Sequence, residues 1–357
     1  MPTSAVAISF PAHPSDALHY RYSGGVFLAG RVFFVPYNSL HVLTMEVLSE
    51  PYVFQRVLLP PTIFIKEAQW PSLFWGCVAA RGALYLVPFM ADVVLKLDAS
   101  SGALTVVADL RPDRSVRHAR EKFANGVLVG AAIYFIPYNA DHIGRLDLDA
   151  GQFDRIALPD NIPNTGSLCT GGGQDSSHCG KFSSAVADSA GRIYMSPWHV
   201  DYITVFTPGI TAATGTFTQV GSPRTKERYH SSLYTQGAVY LFSQKLITKV
   251  VYDGTQDVVQ NIPMNGVDFT NFGVVLLAGS IVLMLPVELG RPKTVMPWIT
   301  FPGTESGKFD ISTGQVTFES TLFEHLMDTS RDGYGGVAAN GRIFMVPRSS
   351  GDVVVLS

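Results

Sequence analysis

Nine histidines are spread along 357 residues, and four of them sit where an imidazole could do chemistry. His41, His142 and His199 follow Pro36, Pro137 and Pro197 at offsets of five, five and two residues, Asp141 and Asp201 lie beside two of them, and His230 follows Arg228-Tyr229. Imidazoles converging on one mouth with a carboxylate could hold a divalent metal or act as a general base, because neutral imidazole is both a ligand and a proton acceptor near pH 7. His142, His199 and His230 are therefore the candidate catalytic set. Against them stands the frequency of histidine in ordinary turns, and only His41 and His142 share an offset. There is no Gly-x-Ser-x-Gly elbow, no phosphate-binding Gly loop leading into a helix and no His-Glu-x-x-His. Gly171-Gly172-Gly173 lies in a long loop with no helix after it, so no cofactor is expected.

Three cysteines, an odd number, exclude a disulfide framework. Cys77 falls in an apolar run, where a free buried thiol is ordinary. Cys169 and Cys179 bracket a Gly/Ser loop and could pair; a zinc site there would find only His178 nearby and lacks a fourth ligand, so no metal is expected.

Composition narrows the partners. With 26 Lys and Arg against 29 Asp and Glu the net charge is −3, and charged residues make up only 15%. Such a balance provides no field to gather phosphate backbones, which excludes direct nucleic-acid binding as an expectation. The run Ala5 to Phe10 has no basic residues before it and Pro11 after it, unlike a secretory signal. The most apolar stretch, Phe272 to Val287, is interrupted by Gly273, Gly279 and Pro286, short of the ~18 residues that cross a bilayer. A soluble cytoplasmic protein is expected, with a mitochondrial complex as the alternative.

What must position any site is a phrase that recurs seven times. Its clearest copy runs Lys122-Phe123-Ala124-Asn125-Gly126-Val127, then Ile133-Tyr134-Phe135-Ile136-Pro137-Tyr138-Asn139, then Ile143 to Asp147. The copies occupy 22–38, 74–89, 123–139, 182–198, 229–243, 272–286 and 334–347, with corners at Pro36, Pro88, Pro137, Pro197, Ser243, Pro286 and Pro347. Repeats roughly 40 to 60 residues apart, each built of short Val/Ile/Tyr/Phe runs and Gly turns without a helical period, are antiparallel meanders arranged as propeller blades. A more polar fourth strand is visible in four of them, at 54–57, 153–156, 216–220 and 316–318. The last unit stops one strand short, and Ala5 to Phe10 has the length to supply it. The fold predicted is all-β, a single seven-bladed β-propeller domain over 1–357, closed by the N-terminal strand joining the last blade.

In that fold the Pro-aromatic corners and the basic-aromatic lead-ins, Arg21-Tyr22, Lys122-Phe123, Lys181-Phe182 and Arg228-Tyr229, share one face. Tyr37, Asn38, Tyr138, Asn139 and Trp198 are the candidate binding residues there, set against the reading that a motif repeated in nearly every blade simply maintains the blade. Three insertions break the period: 60–74, 161–180 and 287–308. The last places Trp298 and Phe301 among Arg291, Lys293 and Glu305, the aromatic centre and charged rim of a protein interface.

Aromatic-x-Gly-Gly-Val, Asn-Gly-Arg-Ile-Phe and Val-Pro, best seen at Tyr334 to Pro347 and Tyr22 to Asn38, resemble a repeat of propellers from protists and algae. The resemblance implies a kelch-like or tryptophan-aspartate-repeat-like ring and brings no catalytic residues with it. The expected function is a non-enzymatic protein-interaction scaffold or subunit of a larger assembly. The alternative is a propeller hydrolase or lyase using His142, His199 and His230 at the channel mouth.

Overall fold

The computed structural model describes residues 5–11, 20–63, 72–111, 121–162, 180–209, 214–221, 228–243, 245–264, 272–278, 281–286, 306–319, 333–347 and 352–357. Apart from one 3-10 turn at Pro61–Ile63, every regular element among these residues is a strand. The strands form seven four-stranded antiparallel sheets, the blades of a β-propeller. Blades 1 to 6 are sequential meanders. In blade 7 the fourth strand comes from the other end of the chain: Ala5–Ser9 pairs with Asp352–Leu356, Val6 opposite Val355. The N-terminal run thus completes the last blade, as its length predicts.

Residue contacts group the chain into two compact units, one holding blades 2 to 5 and the other blades 1, 6 and 7. Blade 2 is built from Phe74–Ala80, Ala83–Pro88, Val93–Asp98 and Leu104–Asp109, and blade 3 from Phe123–Val129, Ala132–Pro137, His142–Asp147 and Phe153–Ala157. Blade 4 comprises Phe182–Ala187, Ile193–Pro197, Ile203–Pro208 and Gly215–Val220, and blade 5 Tyr229–Thr235, Ala238–Ser243, Leu246–Tyr252 and Asp257–Pro263. The second strands of these blades are apolar at nearly every position, with Ser196 and Ser243 the exceptions, because both faces are covered. Val78, Tyr85 and Val87 of blade 2 meet Phe123, Ile133 and Phe135 of blade 3, while Tyr134 and Ile136 on the opposite face meet Phe182, Ile193 and Met195 of blade 4. Each such side chain contributes roughly 1.5–3 kcal/mol by leaving water. In the other unit, Tyr22, Phe34 and Leu43 of blade 1 pack with Val337, Phe344 and Val353 of blade 7.

The small residues of the repeat have a physical task. A Cβ on Gly126 would come within 2.8 Å of the Val78 side chain of blade 2, so glycine sets the spacing of the inner strands there. Directly before it, the first strand of every blade carries a register shift: between Phe123 and Gly126, between Phe182 and Ser184, and between Tyr229 and Ser231 in blades 3, 4 and 5. This bulge turns the lead-in aromatic into the blade core, where Phe123, Phe182 and Tyr229 are fully buried.

Candidate functional site

The face carrying corners and lead-ins is knitted by one hydrogen-bond scheme. At four corners the residue after the proline donates its N–H to the carbonyl just ahead of the lead-in aromatic: Tyr37 to Arg21, Phe89 to Leu73, Tyr138 to Lys122 and Trp198 to Lys181. The lead-in then bonds to the preceding blade. Lys122 N–H donates to Phe89 O and Lys181 N–H to Tyr138 O, each at 2.7 Å.

The two lysine side chains continue that join. Lys122 Nζ, 2% exposed as a residue, donates to Met90 O at 3.0 Å and pairs with Asp92 at 2.9 Å. Lys181, fully buried, donates to Asn139 O at 3.2 Å and Ala140 O at 3.0 Å. Burial pushes its ammonium down to about 8, with the Asp141 charge opposing. Above these joins the rings close over one another. Trp75 stacks on Tyr138 at 6.0 Å, and Phe89 lies 4.8 Å from Trp75 and 5.4 Å from Tyr138. Gly180 fits beneath the Tyr138 ring only because it lacks a Cβ, which would sit 2.1 Å from that ring.

The lead-in to blade 5 departs from this pattern. Arg228 stands in the place of the buried lysines, but it is exposed, with its guanidinium 5.4 Å over the ring of Trp198. Trp198 is half-buried, and its ring meets His230 edge-on at 5.0 Å and His199 at 6.0 Å. His199 Nδ1 lies 3.0 Å from Gly180 O; since a carbonyl only accepts, Nδ1 carries the proton and Nε2 is left as an acceptor. His230 Nε2 is buried with no hydrogen-bond partner among the described residues. Burial, and then the charge of Arg228, holds both imidazoles below the usual histidine range, His230 down to about 4. His199 is also raised by its bond to Gly180, which burial outweighs. Both rings are neutral near pH 7.

The remaining sequence candidates lie elsewhere. His142 is buried on the third strand of blade 3, its ring 5.6 Å from Phe123 and its Nδ1 2.6 Å from Asp141. His41 occupies the matching strand of blade 1, fully buried. Arg56 Nε donates to its Nε2 at 3.2 Å, so that nitrogen is the acceptor for the Tyr22 hydroxyl at 2.7 Å as well. Blade 5 builds the same lock without histidine, Tyr229 to Thr248 at 2.8 Å and on to Asn261 at 3.0 Å. Tyr37 is half-buried and Asn38 is buried behind it; Asn139 donates to Glu121 at 3.4 Å. Of the predicted residues, then, His199, His230 and Trp198 come together, while His142 belongs to the interior of blade 3. No cluster of three or more His, Cys, Asp or Glu side chains able to hold a metal occurs among the described residues. Trp298 and Phe301, with Cys169 and Cys179, lie outside the described residues; Cys77 is a free thiol, pushed up to about 12 by burial.

Sequence reasoning missed a second set of polar joins, at the opposite ends of the blades. Arg81 reaches Leu148 O at 2.8 Å and Asp149 at 2.6 Å, and Arg342 pairs with Glu50 and Tyr52. Arg192 is held between Asp188 at 2.6 Å and Asp257 at 3.3 Å, beside the Tyr194 hydroxyl, which donates to Asp257 at 2.6 Å. The recurring Gly-Arg after the first turn, at 191–192 and 341–342, is the signal that could have revealed two of them; Arg81 precedes its glycine and does not share it.

No protein-family profile and no curated protein sequence matches the chain. Solved structures do match in fold. YCF48 bound to a D1 peptide aligns with a TM-score of 0.61 at 10% identity, over 99% of this chain and 95% of that one. A chain of the mitotic checkpoint complex aligns at 0.59 and 8% identity, over 100% and 95%. The extracellular domain of BT4673 from B. thetaiotaomicron aligns at 0.62 and 11% identity over 98% of this chain, which spans only 39% of the BT4673 chain. At such identities the likeness is one of fold: a seven-bladed propeller. No helix among the described residues is long and apolar enough to cross a membrane.

Proposed function

We propose that this protein is a non-enzymatic interaction scaffold, one propeller domain over 1–357, that docks partner proteins at the lead-in to blade 5. The observation that carries the reading is the contrast within one repeated slot. Two successive lead-ins bury a lysine against the neighbouring corner, and the third leaves an arginine exposed over a half-buried tryptophan. A motif that only maintained blades would obey the symmetry. Trp and Arg are the residues most enriched where binding energy concentrates. Two structures with the same fold agree with this use, one bound to a peptide and one taken from a complex. The alternative, general-base catalysis by His142, His199 and His230, is weakened by His230, whose proton affinity near 4 is far from the near-neutral value such a base needs.

The test is affinity capture with wild type and Trp198→Ala, alongside urea unfolding of both. Loss of specific captured proteins with little change in stability supports docking at this corner. Undiminished capture by the variant overturns it.

A further inference from the structure

We propose that Arg228, held over Trp198 beside the half-buried ring of His230, forms a recognition site for the carboxylate side chains of an acidic peptide segment in a partner protein. This rests on the docking reading and names the chemistry of what docks.

The guanidinium comes first. A planar cation stacked over an indole keeps its N–H edges directed outward, and that fork matches a carboxylate at two points. Arg228 is exposed over Trp198, and no carboxylate among the described residues pairs with it, whereas Arg192, Arg145 and Arg81 are each tied to an aspartate. Among the described residues, then, the cation is placed and has no counter-charge. Beside it lies the half-buried ring of His230, whose Nε2 is shut off from solvent and has no hydrogen-bond partner among the described residues. Among the described residues, Arg228 is the one charged group that lowers the proton affinity of both His199 and His230.

The openness of the site argues for a peptide over a free small acid. Small-molecule sites enclose most of the ligand surface. Here Arg228 is exposed and Trp198, His199 and His230 are only partly covered, which suits a segment lying across a surface with its side chains reaching in.

The experiment measures fluorescence anisotropy of three labelled Gly/Ser peptides of equal length, bearing four Glu, four Gln or four Lys, against the full chain. The Glu peptide should bind, the Gln peptide about tenfold or more weaker, and the Lys peptide not at all, with affinity falling steeply as salt screens the contact. Arg228→Glu should abolish Glu-peptide binding and Arg228→Lys should retain part of it, since lysine keeps the charge but loses the fork. Because Arg228 is exposed, both variants should unfold as wild type does, which separates lost recognition from lost fold. Glu and Gln peptides bound alike, binding unchanged in Arg228→Glu, no binding at all, or displacement of the Glu peptide by free glutarate at equal concentration would each overturn the proposal. If that happens while Trp198→Ala still loses captured proteins, docking stands and only its acidic chemistry falls. If Trp198→Ala also captures normally, both fall.

Discussion

The lead-ins to blades 3 and 5 are built from the same phrase and do opposite things. At blade 3 the lysine folds inward onto Met90 O and Asp92 under a lid of Trp75, Phe89 and Tyr138, so both the cation and the rings are used up within the protein. At blade 5 the cation turns outward onto Trp198, and the buried nitrogen behind it has no partner. On the docking reading, the slot that joins blades at blade 3 is left open at blade 5, with no new element added. At blade 5 the arginine suits this arrangement, because a planar guanidinium stacks on a ring where an ammonium is held as a point charge.

The sharpest test of that contrast sets one corner aromatic against another. Tyr138 is 7% exposed and contacts Trp75, Phe89 and the backbone at Gly180, so Tyr138→Ala should cost about 3–5 kcal/mol in urea unfolding, the range for a large buried aromatic. Trp198→Ala should cost less than half of that and show its effect in binding instead. Equal losses of stability would mean that both corners are structural.

A second test uses pH. His230 takes up a proton only near pH 4 in the folded protein, whereas an unfolded histidine does so at about 6.5. Between those values the unfolded chain binds more protons, so stability falls as pH drops from 6.5 toward 4 and is unaffected by this group above about 7. Wild type should lose roughly 2–3 kcal/mol relative to His230→Gln on going from pH 7.5 to 4.5, a loss the variant lacks. An NMR titration of the His230 ring, still neutral at pH 5.5, reads the same property directly. A midpoint near 6.5 would show that the ring is solvated and the site is not desolvated as described.

Smaller again is the change expected at the closed slot itself. Lys181→Met keeps the length and apolar stem but leaves the carbonyls of Asn139 and Ala140 without their donor. Removal of a buried, partly desolvated charge offsets some of this, so a net loss of about 1–2 kcal/mol is expected.

The fold was legible because it rests on periodic quantities. Seven spaced corners, six of them prolines and the other Ser243, and the run at 5–10 suffice to count blades and close the last one, since strand length and turn residues are local properties. The fourth strands at Leu104–Asp109 and Asp257–Pro263 were not singled out because outer strands are half exposed and their composition resembles a loop. The site was legible only as a set of residue types. Nothing in the spacing tells that Lys122 and Lys181 point inward while Arg228 lies over a ring, nor that His142, which shares its offset with His41, belongs to the blade interior beside Phe123. Those facts depend on which side chain fills which gap between blades, information that is non-local in sequence. Of the candidate histidines, His199 and His230 are the ones whose rings meet Trp198.

The smallest expected effect is on the stability of Arg228→Gln. The side chain is exposed, and its one contact among the described residues is the Trp198 face. An exposed cation–π pair contributes about 0.5–1 kcal/mol, part of which a glutamine amide lying over the same ring replaces, so unfolding should shift by about 0.5 kcal/mol or less. One further consequence follows from charge. Arg228 is among the influences that hold His230 below its usual range, after burial, so the variant should raise the His230 midpoint while leaving the protein's stability near pH 7 nearly as it was. A ring titration that moves upward in a chain that unfolds normally would place Arg228 in the field of the site. A midpoint that stays put would mean that the guanidinium charge does not reach His230, and the blade 5 slot would then be open but not electrostatically prepared for an acidic ligand.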